Sequence, residues 1–370
     1  MSLSIQLRQF ADSLAPGDDI TRQANNAIER IHNVIHKNLG EHFSIDRIRP
    51  LGSLTKKTSL WFKMDIDIVV YLNDEMPPFS DFIDKLDDVI IMNIDEDCEK
   101  TPHGLKLKVD DFDVDLLPAT NFLYQNGFRG GNEARTQNEN ALSYLKQARA
   151  RIADKMDFSA SLSEAAVDFE RSRGAFSHAL SRLAKFWSMT IGIHDFSYGR
   201  SSIMEYLGAK AAEDEEGSQN TLKGFQRFLR MIEHVSSINV FWDEFYSKDD
   251  IPPYIEEQRP LLLDPTNPYN NLLRGRNVDF LKQMSSFASV TLSRINKAKD
   301  SNMALLMIFE PQPKIDQVYS YFFTNPSKSP QNFLVGSYKD SIIHPKKETG
   351  RGATGRCESR HCSKLLLRFC

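Results

Sequence analysis

The chain has 370 residues, 41% hydrophobic and 26% charged, with a formal net charge of -4. That profile suits a globular protein of two lobes, each with its own core, and argues against a globally basic nucleic-acid binder while leaving room for a local basic stripe. No apolar run approaches the roughly 18 residues that span a bilayer. The first residues lack the basic start and unbroken apolar core of a secretory leader, and only Cys98 lies within the first 350 residues. A disulfide framework is therefore excluded for the body of the chain, and a reducing, cytoplasmic setting with no membrane is expected.

In chain order, residues 18–38 read as an amphipathic helix. Asp18 or Asp19 can cap it, and Ile20, Ala24, Ala27, Ile31, Val34 and Ile35 recur at helical spacing. Residues 43–75 read as strand, loop with a short helix, and strand. The loop opens on Gly52-Ser53 and continues through Thr55, Lys56, Lys57, Thr58 and Ser59. Backbone N-H groups of a Gly-Ser turn entering a helix, with these hydroxyls and lysines around them, form a natural phosphate cradle. On the strand that follows, Asp65 and Asp67 are separated by one apolar residue and so point to the same face.

A further acid comes from a later strand. Leu105, Leu107 and Val109 put apolar side chains at odd positions, whereas Asp111, Asp113 and Asp115 put acids there, and the change of phase predicts a turn or bulge at Asp110-Asp111. The N-terminal part is thus mixed α and β with an antiparallel element. Carboxylates are the hard ligands that Mg²⁺ prefers, and Mg²⁺ held this way completes its shell with water and substrate phosphates. The pattern points to phosphoryl or nucleotidyl transfer. From about residue 160 the periodicity is helical, with one stripe through Leu180, Leu183, Ala184 and Trp187 and another through Phe225, Leu229, Ile232 and Val235. The acidic run Glu213 to Glu216 reads as a solvated loop, and Cys98 as a buried or half-buried thiol.

At Gly52-Ser53, Asp65/Asp67 and Asp115-Leu-Leu-Pro-Ala119 the chain resembles the nucleotidyltransferases of DNA polymerase β type, and within them the 2'-5'-oligoadenylate synthetases. That register makes Asp115 the third acid, with Asp113 the fallback. Leu180 to Trp187 resembles the helix carrying the family's donor-nucleotide cations, and Arg259-Pro-Leu-Leu-Leu-Asp-Pro-Thr-Asn-Pro268 resembles its C-terminal signature. The resemblance covers about residues 5 to 325. It implies an α+β, two-lobed nucleotidyltransferase fold: a mixed-sheet catalytic lobe over 1–158, a helical lobe over 159–328, and a basic, disordered tail over 329–370. In the tail region, residues 326–370 hold nine Lys or Arg against three Asp or Glu. The irregular spacing of Cys357, His361, Cys362 and Cys370 reads as part of that tail rather than as a zinc site.

What the resemblance implies for function is specific. Two Mg²⁺ ions held by Asp65, Asp67 and Asp115 would orient ATP for in-line attack by a ribose hydroxyl with loss of pyrophosphate. Gly52, Ser53, Lys56, Thr58, Arg182, Lys185 and Ser201 would bind the nucleotide, with Arg182 and Lys185 on the donor triphosphate. Ser201-Ser202 stands where the family has a Gln-Tyr pair beside the donor base, which removes an aromatic stacking surface. Double-stranded RNA is the family's activator, and Arg171, Arg173 and Lys57 are the candidate contacts. Val167, Ala175 and Phe176 replace residues that are typically Arg, Thr and Lys in RNA-activated members, which weakens that face. A cyclic-dinucleotide synthase of the cyclic GMP-AMP synthase group would use the same acids, although the zinc-binding insertion of that enzyme is absent. A poly(A)-polymerase-like enzyme fits the acids but not Arg259 to Pro268. A catalytically inactive RNA sensor is disfavoured by retention of the three acids with Arg182 and Lys185. Oligomeric state has no signal in the sequence.

Overall fold

Alternation of side chains on two neighbouring strands organises the N-terminal lobe. In a computed structural model of the protein, residues 1–73, 75–94, 98–123, 132–147, 157–191, 200–298 and 304–309 are described. The tail expected over 329–370 lies outside them. A five-stranded sheet has the order β1-β2-β5-β4-β3, with β1 at Ile45–Pro50, β2 at Asp65–Leu72, β3 at Cys98–Thr101, β4 at Gly104–Val109 and β5 at Phe112–Thr120. Only β2 and β5 pair in parallel.

On one face, Ile66, Ile68, Val70 and Leu72 of β2 and Val114 and Leu116 of β5 pack against two helices, α2 (Asp18–Leu39) and α3 (Ser80–Ile94), through Ala27, Ile31, Ile35, Phe82 and Leu86. On the other, Val69, Tyr71, Leu117 and Ala119 meet Val167. The acids at the start of each strand share this second face, beyond the cover that Val167 provides.

The helix expected at 18–38 runs to Leu39, but its N-cap is Gly17. Asp18 and Asp19 sit instead inside the first turn, where their charge favours the positive end of the helix dipole. The phase change at Asp110-Asp111 is a two-residue turn between β4 and β5, with Asp110 at φ 55° and Val109 paired with Phe112. The short helix expected after Gly52-Ser53 does not form. Residues 52–58 make turns instead, closed by hydrogen bonds from Lys56 N to Gly52 O and from Thr58 N to Ser53 O, with Lys57 at φ 63°. Cys98 is half-buried on β3.

The second lobe is built around a helix that is buried nearly all round. After α4 (Glu133–Gln147), which packs with Phe122, Phe158 and Leu162 in a small core of its own, it contains α5 (Ser163–Ser172), α6 (Gly174–Thr190), α7 (Arg200–Asp214), α8 (Thr221–Glu233), α9 (Pro253–Glu256), α10 (Val278–Ala298) and α11 (Ala304–Ile308). Leu180, Leu183, Ala184 and Trp187 of α6 are fully buried. Gly208 lets α7 lie against α6: a Cβ there would stand 2.9 Å from the Ser181 backbone. A small sheet of β6 (Asn239–Val240), β7 (Leu261–Asp264) and β8 (Asn267–Asn271) accompanies the helices, and the segment from Arg259 to Pro268 supplies β7 and enters β8.

Two features depart from the simple division expected. The first helix, α1 (Leu3–Ser13), lies in the helical lobe, because its stripe of Leu3, Leu7, Phe10 and Ala11 joins the core around α6 and α8. The acidic run is not all loop: α7 continues through Glu213, which accepts hydrogen bonds from Arg173 and Trp242. No helix among the described residues is long and apolar enough to cross a membrane.

The lobes are joined by a buried ion pair. Arg47 of β1 donates to both carboxylate oxygens of Glu164 on α5, at 2.9 and 2.6 Å, and to Asn121 Oδ1 at 2.9 Å, with its guanidinium 3.8 Å above the Tyr71 ring. Removing one partner of such a pair strands the other charge in a buried site. Arg47→Met is expected to destabilise the protein by about 3 kcal/mol, read by urea unfolding, with much of the loss recovered in Arg47→Met/Glu164→Leu. Equal stabilities of wild type and single variant would refute this role for the pair.

Candidate active site

Because β2 and β5 run in parallel register, Asp65 lies beside Asp113 and Asp67 beside Asp115. Asp65, Asp67 and Asp115 line one cleft of about 410 Å³, a size that admits a nucleotide; Asp113 is not among its lining residues. Register sets each of the two β5 acids beside an acid of β2; it is the cleft lining that includes Asp115 and omits Asp113. Lys56, Lys63, Lys106 and Lys185 line the same cleft, with Glu205 in its wall.

Close packing of this acid floor is set by the loop before β2. Leu51 N donates to Asp67 O at 2.9 Å, and the loop passes so near that a Cβ on Gly52 would lie 1.9 Å from Asp67 Oδ2. Only glycine fits that approach. Burial, reinforced by the charge of Asp115, pushes the Asp67 carboxyl up to about 7, with Lys56 opposing the shift. Asp65 opens to solvent at the mouth, yet it too is raised, by desolvation first, with Lys63 acting against it. Asp115 is engaged differently: Lys106 Nζ lies 2.9 Å from its Oδ1 and 3.2 Å from its Oδ2.

The opposite wall is a buried network of charge. Lys185 pairs with Glu205 Oε1 and donates to Thr58 O at 3.1 Å and Thr58 Oγ1 at 3.2 Å. Thr58 Oγ1 in turn donates to Glu205 Oε1 at 2.5 Å, and Lys56 Nζ stands 3.4 Å from Glu205 Oε2. Burial alone would raise Glu205, but Lys185 and Lys56 hold its carboxyl down at about 2. Behind this network, on α5, Glu170 is fully buried and neither of its carboxylate oxygens has a hydrogen-bond partner. Burial and the nearby Glu205 push it up to about 7.

Of the residues expected to bind nucleotide, Gly52, Ser53, Lys56, Lys185 and Ser201 line the cleft, and Ser202 lies beside Ser201. Thr58 is one layer back, as a brace for Lys185 and Glu205. Arg182 is turned away from the lining: it donates to Ala11 O at 2.7 Å, to Lys57 O at 2.9 Å and to Asp12 Oδ1 at 3.3 Å, supporting the Gly52 loop from behind. On the expected RNA face, Lys57 and Arg171 are exposed. Arg173 is committed to Glu213 and Glu244 at 2.8 and 2.7 Å and lies 3.3 Å above the Phe169 ring. Val167 and Phe176 are buried in the protein's own core.

Sequence reasoning missed Glu205, Lys63 and Lys106. Glu205 had a signal, as the one acid within the apolar run Ile203 to Leu207. Lys106 had only its alternation with Leu105 and Leu107, and its meeting with Asp115 depended on the β4-β5 register.

The donor set suits a hard divalent cation, since Asp65 and Asp67 leave one face of β2 together and Asp115 joins them from β5. As they stand, no three acidic, His or Cys side chains among the described residues converge tightly enough to hold a metal ion. The carboxylates are gathered but not closed into a cage, and Asp115 faces an ammonium instead.

The family model described as 2'-5'-oligoadenylate synthetase 1, domain 2, C-terminus matches residues 135–306. Mouse 2'-5'-oligoadenylate synthase-like protein 2 is 24% identical over 320 residues, covering 74% of this chain, which spans 61% of that protein's length. Among solved structures, CdnC of E. coli MS115-1, in complex with HORMA-deltaN, superposes with a TM-score of 0.60 at 18% identity, over 82% of this chain and 96% of that one. Cid1, described as having RNA terminal uridylyl transferase activity, superposes with a TM-score of 0.57 at 10% identity, over 84% and 98%. Both structures share the fold.

Two outcomes follow from this geometry. Gly52→Ala is expected to lower turnover about 100-fold, as a displacement of about 1 Å at a reacting group does, with the thermal midpoint nearly unchanged; wild-type turnover would show that the close approach is dispensable. Glu170 is the source of a pH effect. Its folded value lies above the ordinary 4.5, so its stabilising contribution is full below pH 4.5 and is lost as pH rises through about 7. Glu170→Gln lacks that loss, and its stability should gain on wild type by about 3 kcal/mol between pH 4.5 and 8.5, measured by urea unfolding; parallel pH curves would refute it.

Proposed function

We propose that this chain is a nucleotidyltransferase of the 2'-5'-oligoadenylate synthetase family and that it polymerises ATP into 2'-5'-linked oligoadenylates with release of pyrophosphate, a reading supported by the family model over residues 135–306. The observation that carries the reading is the parallel register that puts Asp65, Asp67 and Asp115 on one cleft floor, facing Lys56 and Lys185. Family resemblance supplies the 2' preference.

In this reaction a ribose hydroxyl oxygen forms a bond to the α-phosphorus of ATP as the bond to the β-phosphate bridging oxygen breaks, and pyrophosphate leaves with the electron pair. Two Mg²⁺ ions, held by Asp65, Asp67 and Asp115, would lower the pKa of the attacking hydroxyl and neutralise charge developing on the phosphates. Lys185 and Lys56 exchange Glu205 for the β- and γ-phosphates, and the Gly52-Ser53 loop orients them. Asp115, on the acceptor side, receives the hydroxyl proton. The cleft walls hold the reacting groups in line. Ser201 and Ser202 face the donor base without an aromatic ring.

Double-stranded RNA is not required in this reading. Of the three cations assigned to the RNA face, Arg173 is held by two carboxylates, which leaves Lys57 and Arg171 to meet phosphates. Affinity for nucleic acid scales steeply with the number of such contacts.

Purified protein incubated with ATP and Mg²⁺ should make oligomers that a 2'-5'-specific nuclease degrades, with and without long double-stranded RNA. Strict RNA dependence would reverse the regulatory reading, and a cyclic product on adding GTP would reassign the reaction to dinucleotide cyclisation. Asp65→Asn and Asp67→Asn should each lose about 1,000-fold or more in turnover, with urea unfolding midpoints close to wild type. Near-normal activity in either variant would sink the catalytic assignment.

A further inference from the structure

Lys106 is one of the cleft residues that neither the motif nor the family resemblance assigns. It projects from β4 directly opposite Asp115 on β5, and its ammonium reaches both carboxylate oxygens, at 2.9 and 3.2 Å. Both side chains are partly open to the cleft, Lys106 at 30% and Asp115 at 25% exposure, so the pair stands where solutes arrive. We infer that Lys106 is the resident counter-ion of Asp115, a positioning residue that competes with a divalent cation for that carboxylate and so sets the metal affinity of the acceptor side of the cleft.

The inference rests on the reading of Asp65, Asp67 and Asp115 as metal ligands. Three carboxylates on adjacent strands repel one another, and a cation at the flank of one of them relieves that repulsion before any metal arrives. A carboxylate already bridged by an ammonium offers a second cation fewer lone pairs and less net charge. Loading Asp115 therefore requires the ammonium to withdraw, which the flexible four-carbon stem of lysine permits. Lys63 and Lys56 act on Asp65 and Asp67 through their charge, and the three acids do not yet close on one point. Divalent cations would then load in two classes, a tighter one at Asp65 and Asp67 and a weaker one that includes Asp115.

Mn²⁺ binding to the full chain, followed by the electron paramagnetic resonance signal of the free ion, tests this without measuring activity. Lys106→Met should tighten the weaker class of Mn²⁺ site by about fivefold, the scale of one half-exposed ion pair. Lys106→Arg keeps a cation and should stay at wild-type affinity or weaker. Adding Asp115→Asn to Lys106→Met should abolish the gain. Superimposable titrations of wild type and Lys106→Met would overturn the inference while leaving the metal reading intact. If neither protein bound Mn²⁺, the metal reading would fall as well.

Discussion

Parallel pairing of β2 with β5 is the constraint to which the rest of the molecule responds. Adjacent strands lie about 4.8 Å apart, so in-register pairing of Asp67 with Asp115 sets two carboxylates side by side, with Asp65 two residues away on the same face. Like charges at that spacing are unfavourable in a partly desolvated cleft. The neighbouring residues are arranged to answer this: Lys106 spans Asp115, Lys63 faces Asp65, and Lys56 acts on Asp67. The remaining imbalance appears as the raised Asp67. The sheet accepts this arrangement because its opposite face, from Ile66 to Leu72 and from Val114 to Leu116, is buried against α2 and α3 and holds the strands in place.

The far wall of the cleft shows how partners, and not burial alone, decide the fate of a buried acid. Glu205 and Glu170 are both almost completely enclosed. Glu205 faces Lys185, Lys56 and the Thr58 hydroxyl and is held ionised; Glu170 has no hydrogen-bond partner for its carboxylate, and the neighbouring negative charge favours its protonated form. On the proposed reading, Glu205 keeps two lysines desolvated but paired until a triphosphate takes its place. The lysines are then pre-oriented for an anion by the same hydrogen bonds that hold this wall together.

The cleft also depends on how the lobes are tied. Arg47 and Glu164 join β1 to α5 on one side. On the other, Trp61 N bonds to Leu14 O at the end of α1, while Arg182 links α6 to both α1 and the Gly52 loop. A residue expected to touch substrate is here a strut, and it acts on the site by holding the loop that touches Asp67.

What was legible in the sequence was whatever depends on local periodicity and spacing. Alternation over Asp65 to Leu72 placed two carboxylates on one face, the change of phase at Asp110-Asp111 located a turn, and the apolar stripe over 18–38 located a helix. Each of these follows from a backbone repeat that a short stretch of residues determines by itself. The tertiary structure decided which distant side chains meet. It put Asp115 and not Asp113 in the cleft lining, gave Asp115 a lysine partner on β4, buried Glu205 among cations, turned Arg182 and Arg173 into internal braces, and moved α1 into the helical lobe. Those outcomes depend on pairings between residues from nine to more than a hundred positions apart, whose charges and contacts carry no imprint on one another's local sequence.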